Sequence, residues 1–201
     1  MVDAGSGQRD SLVGMHDHAI ADLRYIRGAM ERAGAFTAVP GWGGMAMGAT
    51  AIIAAAVASR QMVPERWLAV WLLEAAVAAA IGGVTMARKA RREESQIWAG
   101  PGRKFASAFL PALMTGALLT AALWRAGEPT LLPAVWLLLY GTAVAAGGAF
   151  SVRIVPALGA CFWGFGVAAL IAPQWGDAWL AAGFGGAHVV FGYFIARRHG
   201  G

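Results

Sequence analysis

Long apolar segments separated by short polar ones dominate the hydrophobic pattern of this chain. Six segments are each close to the length of about 20 residues that a helix needs to cross the hydrocarbon core of a bilayer. Transmembrane strands alternate apolar and polar side chains, whereas these segments are apolar throughout. The pattern therefore predicts an all-α polytopic membrane protein whose six transmembrane helices are arranged in hairpins. The predicted spans are residues 41–59, 66–86, 105–124, 131–150, 154–172 and 178–196.

Charged and turn-forming residues mark the breaks between these spans. Pro64 lies in the first break, residues 87–104 form the longest polar stretch, and Pro173 precedes the last span. The fourth and fifth spans are nearly fused, because Arg153 is the one charged residue between them. Five and six spans both fit this region, and we predict six.

The first 36 residues differ from the rest in that no apolar run interrupts their charges. Residues 1–10 are predicted to be a disordered tail, and residues 11–36 an amphipathic cytoplasmic or interfacial helix that precedes a transmembrane domain at 37–199. Absence of an apolar signal region predicts that the first span itself directs insertion. Steps of three and four residues place the apolar positions on one helix face. These positions are Leu12, Met15, Ala19, Leu23, Ile26 and Met30.

Composition and charge agree with a lipid environment, since 58% of the 201 residues are hydrophobic and 13% are charged. The net charge of +5 does not indicate nucleic-acid binding, because of where the basic residues lie. With the N-terminus inside, Arg60, Arg66 and Arg125 face outward and the other thirteen of the 16 Lys and Arg residues face inward. This bias predicts cytoplasmic N- and C-termini in a bacterial-type plasma (inner) membrane.

An internal repeat relates two of the predicted hairpins at an offset of 65 residues. Residues 69–83 and 134–148 are identical at nine of fifteen positions. The same offset pairs Arg60 with Arg125 and Pro64 with Pro129. We therefore predict duplication of a two-helix unit, with a symmetry axis along the membrane normal.

Polar residues near the middle of the spans are the candidate functional site. Glu74 is the most informative, because a carboxylate deep in a bilayer is costly and normally faces a bundle interior or a cavity. His188, Tyr140, Thr50 and Thr115 lie at similar depth, so the five residues are predicted to form one polar layer. The alternative is that Glu74 and His188 are structural residues that hydrogen-bond to neighbouring helices.

Metal and cofactor sites are not predicted. His16 and His18 are two residues apart and point to different helix faces. Only His188 lies inside a span, which leaves a bis-histidine haem without a second ligand within one chain. The single cysteine, Cys161, excludes an intrachain disulfide.

Three further residue classes are explained by helix packing, interfacial anchoring and membrane topology or lipid contact. The GxxxG pair Gly44 and Gly48 is typical of close helix packing. Tryptophans near the outer ends of spans are typical of interfacial anchoring. These are Trp67, Trp71, Trp124, Trp136, Trp175 and Trp179. The basic residues of the inner loop are candidates for contact with anionic lipid headgroups, although topology alone also explains them. These are Arg88, Lys89, Arg91 and Arg92.

Three functions are compatible with these features. The first is a small non-enzymatic scaffold, accessory or regulatory membrane subunit, which short outer loops and missing catalytic motifs favour. The second is a small proton-coupled transporter that uses the Glu74/His188 polar layer. The third is an intramembrane enzyme acting on lipid or quinone through Glu74, Tyr140 and His188. Residues 11–33 are a candidate surface for a protein partner, and a homo-oligomer is compatible with the pattern.

Overall fold

A computed structural model describes residue 23 and the ranges 36–92 and 100–199 of the chain. Within these ranges the protein is helical and has no regular strand, and six helices are long and apolar enough to span a membrane. This confirms the predicted helical membrane fold and its six spans. The predicted tail at 1–10 and nearly all of the predicted helix at 11–36 lie outside the described residues.

The spans follow the predicted order, with small shifts at their ends. Helix α1 is Gly41–Ala58, α2 is Pro64–Arg92 and α3 is Gly100–Ala126. A 3-10 turn at Pro129–Leu131 leads into α4, Leu132–Gly148, which is followed by α5, Ile154–Ile171. The sixth span, Pro173–Arg198, is built from four pieces. They are a 3-10 turn Pro173–Trp175, α6 Gly176–Leu180, a π-helical segment Ala181–Ala187 and α7 His188–His199.

Glycine and proline fix the ends of α3. Gly100 has a φ of +52° and Gly127 a φ of +77°, a region that glycine adopts without steric cost. Pro101 lies in the first turn of α3, where its missing N–H costs no intrahelical bond. The Gly-Pro-Gly sequence at residues 100–102 therefore begins the third helix, five residues before the predicted start of the span at residue 105.

Close helix contacts through small residues hold α1 against the sixth span. A Cβ atom on Gly48 would lie 2.6 Å from the carbonyl oxygen of Gly185, which no side chain tolerates. A Cβ atom on Gly44 would lie 3.4 Å from the Cα atom of Gly192. Lipid tails are as apolar as the side chains, so the hydrophobic effect contributes little to association between helices in a membrane. Close van der Waals contact is therefore a main source of their association. The GxxxG pair therefore packs within this chain.

Helix α2 packs on α1 along a narrow face, and most of its surface is open to lipid. Its buried residues are Glu74, Lys89 and Ala90, so two of the three are ionisable. Large apolar side chains such as Leu72 and Leu73 are exposed, with 53% and 67% of their surface accessible. This pattern reverses that of a helix in a soluble protein and is expected where the solvent is hydrocarbon.

The core lies among α4, α5 and the sixth span. Leu137 and Phe162 are fully buried there. A second, smaller cluster lies where the chain enters α1, and in it Phe36 packs on Phe105 at 5.1 Å between ring centroids. The N–H of Phe36 donates to the carbonyl oxygen of Phe150, and Ser151 Oγ donates to the carbonyl oxygen of Phe36. These bonds attach residues 36–40, the entry segment of α1, to the turn between α4 and α5.

Candidate functional site

Tyr140 and His188 form a hydrogen-bonded pair across two spans. Tyr140 projects from α4 and His188 is the first residue of α7, and the phenol oxygen lies 2.9 Å from Nε2 of the imidazole. His188 is buried, with 6% of its surface exposed. Both residues lie near the middle of their spans, which run from residue 129 to 148 and from 173 to 198.

The π-helical segment before His188 fixes the orientation of its ring. His188 Nδ1 lies 3.0 Å from the carbonyl oxygen of Phe184, one turn earlier. A carbonyl oxygen only accepts, so Nδ1 carries a proton. In the neutral ring Nε2 is then the acceptor, and Tyr140 donates its hydroxyl proton to it. Segments of π-helix are rare and frequently occur at functional sites.

Aromatic rings surround this pair and leave it few polar neighbours. Phe162 lies 4.8 Å from the ring of Tyr140 and 5.4 Å from that of His188, measured between centroids. Phe184 stacks on His188 at 6.2 Å, and Phe109 of α3 meets Tyr140 edge-on at 5.8 Å. The pair is therefore a polar contact inside an aromatic cluster.

Glu74 and Thr50 form a second pair, which joins α2 to α1. Thr50 Oγ1 lies 2.9 Å from Glu74 Oε1, and also 2.9 Å from the carbonyl oxygen of Met47 in its own helix. Glu74 is 9% exposed. The midpoint of α2 is Ala78, so Glu74 lies one helical turn from the centre of its span.

The five predicted site residues do not form one hydrogen-bonded layer. Within residues 36–92 and 100–199, neither Glu74 nor Thr50 hydrogen-bonds to Tyr140 or His188. Thr115 is exposed, and its hydroxyl donates to the carbonyl oxygen of Pro111 in the same helix. Similar depth is thus shared by residues that face different neighbours, because rotation about each helix axis decides the partner.

Tryptophan side chains make contacts that the sequence pattern did not predict. Trp67 Nε1 and Trp71 Nε1 both donate to Asp177 Oδ1, at 2.8 and 3.1 Å. These bonds attach the start of α2 to the start of the sixth span. Trp136 Nε1 donates to Thr120 Oγ1 at 2.9 Å. For these three residues, interfacial anchoring is therefore an incomplete interpretation, since their indoles also link helices.

Lys89 differs from the three arginines with which it was grouped. Its side chain is 6% exposed, and its Nζ donates to the carbonyl oxygen of Val39 at 3.1 Å. Arg88, Arg91 and Arg92 are exposed. The position of Lys89 on the α2 face that meets the entry segment explains the difference. Lys89 therefore bonds inside the bundle, and headgroup contact stays a prediction for the three exposed arginines.

Comparisons with known proteins assign no family to these features. Within the described ranges, no group of three or more His, Cys, Asp or Glu side chains is placed to hold a metal ion. The chain matches no protein-family model, no curated protein and no solved structure.

Proposed function

We propose that this protein is a small non-enzymatic membrane scaffold or accessory subunit, in which intramembrane polar side chains hold the helices in place. One observation carries this proposal. Among the described residues, every buried side-chain nitrogen or oxygen atom has a hydrogen-bond partner within the bundle. Polar groups that hydrogen-bond to one another stabilise helix contacts in lipid. No fully buried side-chain nitrogen or oxygen of the described residues is left to bind a substrate.

The partners of these polar groups lie on neighbouring spans. Glu74 reaches Thr50 and links α2 to α1, whereas Tyr140 reaches His188 and links α4 to the sixth span. Asp177 accepts two indole N–H groups from α2. Each of these bonds thus connects two different spans, which is what a rigid scaffold requires.

A proton-coupled transporter is the second candidate function. It is supported by the π-helical segment Ala181–Ala187 directly before His188, because such segments often mark functional or movable sites. A carboxylate one turn from the middle of α2 is also a feature of proton pathways. An enzyme acting on lipid or quinone has the weaker support of the Tyr140–His188 pair alone.

The membrane orientation and the lipid contacts belong to the same proposal. Exposed basic side chains lie at the ends of spans that the positive-inside rule assigns to the cytoplasm, which supports cytoplasmic termini and a bacterial-type inner membrane. We propose that Arg88, Arg91 and Arg92 contact anionic headgroups. Residues 11–33 would contact a protein partner or a second copy of the chain.

We also propose that the internal repeat reflects duplication of a two-helix unit. It is supported by the helix starts, because α2 begins at Pro64 and the turn that leads into α4 begins at Pro129. These prolines are 65 residues apart, which is the offset of the sequence repeat. Duplication of a hairpin is a common way to build a small membrane bundle.

Purification of the full chain from its native membranes in mild detergent tests the scaffold proposal. We expect one membrane protein to co-purify in constant proportion to the tagged chain. A variant that lacks residues 1–35 should lose it, whereas an Arg125→Gln control at the opposite end should retain it. Recovery of the tagged chain alone, with and without residues 1–35, would contradict the proposal.

A further inference from the structure

Two threonines in this bundle show a common hydrogen-bond arrangement. Thr120 Oγ1 donates to the carbonyl oxygen of Gly116 at 2.8 Å and accepts from Trp136 Nε1 at 2.9 Å. Thr142 Oγ1 lies 2.9 Å from the carbonyl oxygen of Leu138 and 3.1 Å from Trp163 Nε1. An indole nitrogen only donates, so each threonine gives its own proton to its own helix.

Thr50 has a similar arrangement, with a carbonyl oxygen three rather than four residues earlier and with Glu74 in the place of the tryptophan. Its Oγ1 lies 2.9 Å from the carbonyl oxygen of Met47 and 2.9 Å from Glu74 Oε1. A carbonyl oxygen carries no proton, and a hydroxyl carries one. Two separate hydrogen bonds among these three oxygens need two protons, because the alternative is a single hydroxyl proton shared between both acceptors. Thr50 supplies one proton, so the arrangement in which each contact is a full hydrogen bond has the second proton on Glu74.

We infer that Glu74 is an intramembrane proton-binding site, in which the carboxylic acid donates to Thr50 Oγ1 and Thr50 donates to the carbonyl oxygen of Met47. The ligand of this site is a proton, and the inference holds whether the protein is a scaffold or a carrier. Glu74 then occupies the position of a donor, as Trp136 does towards Thr120.

The surroundings of Glu74 favour the neutral acid. Helix α1, which packs on this face of α2, contains no charged residue. Between Trp67 and Ala87, α2 itself carries no charge other than Glu74. Asp177 is the acidic group that bonds to this part of α2, through Trp71 one turn away. An ionised carboxylate in hydrocarbon without a cation is costly, so a bound proton stabilises the site.

Loss of this proton changes the hydrogen bonds in a defined way. Ionised Glu74 only accepts, so Thr50 has to turn its single proton from Met47 to Glu74. The bond from Thr50 to the backbone of α1 is then lost. Binding of a proton at Glu74 therefore reverses the direction of one hydrogen bond between α1 and α2.

Infrared difference spectroscopy on the full chain in liposomes of neutral lipid tests this inference. The C=O stretch of a carboxylic acid is separate from the bands of a carboxylate and shifts when H₂O is replaced by D₂O. We expect this acid band in the wild type at neutral pH and its loss in Glu74→Gln. Glu65→Gln, an exposed acid in the first turn of α2, is the matched control and should retain the band.

Variants of Thr50 test whether the protonated Glu74 donates its hydrogen bond to Thr50 Oγ1. Thr50→Val removes the acceptor and should shift the acid band, whereas Thr50→Ser keeps the hydroxyl and should leave it in place. A wild type without any acid band that Glu74→Gln removes would overturn the inference. An acid band that does not respond to Thr50→Val would overturn the proposed donor direction.

A second measurement needs no variant and covers the case in which Glu74→Gln does not fold. A hydrophobic carbodiimide reacts with a carboxylic acid when the O–H adds across its N=C bond. The acyl group then moves to nitrogen, so the protein gains the whole mass of the reagent and nothing leaves. Peptide mapping should find the adduct on Glu74, with a yield that falls as the pH is raised. Absence of the adduct at every pH would overturn the inference.

Discussion

The phenol oxygen of Tyr140 lies 2.9 Å from Nε2 of His188, and this contact joins the fourth span to the sixth. His188 is held from its other side by the carbonyl oxygen of Phe184, in the π-helical segment that precedes it. The imidazole therefore bonds to its own helix and to a neighbouring one, and both ring nitrogens have partners. Hydrogen bonds between transmembrane helices contribute about 0.6 kcal/mol on average and up to about 1.7 kcal/mol.

Removal of this contact should lower stability by a measurable amount. Tyr140→Phe keeps the ring among Phe109, Phe162 and Phe184 but leaves Nε2 of His188 without its donor. We expect a loss of about 1 kcal/mol in the free energy of unfolding, measured by titration with a denaturing detergent in mixed micelles. A double-mutant cycle with His188→Phe should show coupling, and strictly additive effects would contradict the direct bond.

The attachment of α2 to the sixth span depends on one carboxylate. Asp177→Ala removes the acceptor of both indole N–H groups, from Trp67 and Trp71, and should cost about 1–3 kcal/mol. Asp177→Asn keeps an acceptor oxygen and should cost less. Detergent unfolding measures both, with Glu128→Ala as the exposed acidic control. Equal stability of Asp177→Ala and Glu128→Ala would show that the indoles do not depend on Asp177.

Substitution by alanine should have opposite effects on the stability of the bundle at two glycines of the transmembrane helices. A Cβ atom on Gly48 would meet the carbonyl oxygen of Gly185 at 2.6 Å, whereas a Cβ atom on Gly83 would meet nothing within 4 Å. Gly48→Ala should therefore destabilise the bundle by about 1–3 kcal/mol through overpacking. Gly83→Ala should be neutral or stabilise it slightly, because alanine has the higher helix propensity. The reverse order in thermal unfolding would contradict the packing of α1 on the sixth span.

Substitution of Lys89 should change the melting temperature, whereas substitution of its neighbouring arginines should change the dependence of stability on anionic lipid. Replacement of Arg88, Arg91 and Arg92 by glutamine should reduce the thermal stabilisation that anionic lipid gives, in a salt-dependent way. Lys89→Met should instead lower the melting temperature equally in neutral and anionic lipid, since its Nζ bonds to the carbonyl oxygen of Val39. Unchanged lipid dependence in the triple variant would exclude headgroup binding by these arginines.

Segment length and charge were sufficient to predict the six spans. Hydrocarbon thickness sets the length of a span, and this constraint acts on each helix separately. The depth of Glu74, Tyr140 and His188 followed from the same count at 1.5 Å per residue. Their partners did not follow, because a partner depends on the rotation of each helix about its axis. Thr115 shows this limit, since it lies near the middle of α3 but is exposed.

Features that depend on contacts between distant segments were missed for the same reason. The sequence gives Lys89 the same immediate context as Arg88, and only the packing of α2 on the entry segment buries it. Trp67 and Trp71 fit an interfacial pattern, yet their partner Asp177 is about a hundred residues further along the chain. The π-helical segment Ala181–Ala187 contains three glycines, but glycine content alone does not distinguish a π-helical segment from an α-helix.

The central claim is that the two polar pairs hydrogen-bond only within the bundle and are not reached by water, as a scaffold requires. Their accessibility to water tests this claim most directly. In a Cys161→Ala background, Thr50→Cys reports on the Glu74 pair and Ala187→Cys on the residue beside His188. Ser59→Cys, at the exposed end of α1, is the positive control. We expect a small, water-soluble thiol reagent, added to both sides of the membrane, to label Ser59→Cys alone until the protein is denatured. Labelling of Thr50→Cys or Ala187→Cys in the folded protein at a rate close to that of Ser59→Cys would contradict closure and favour a water-filled transport path.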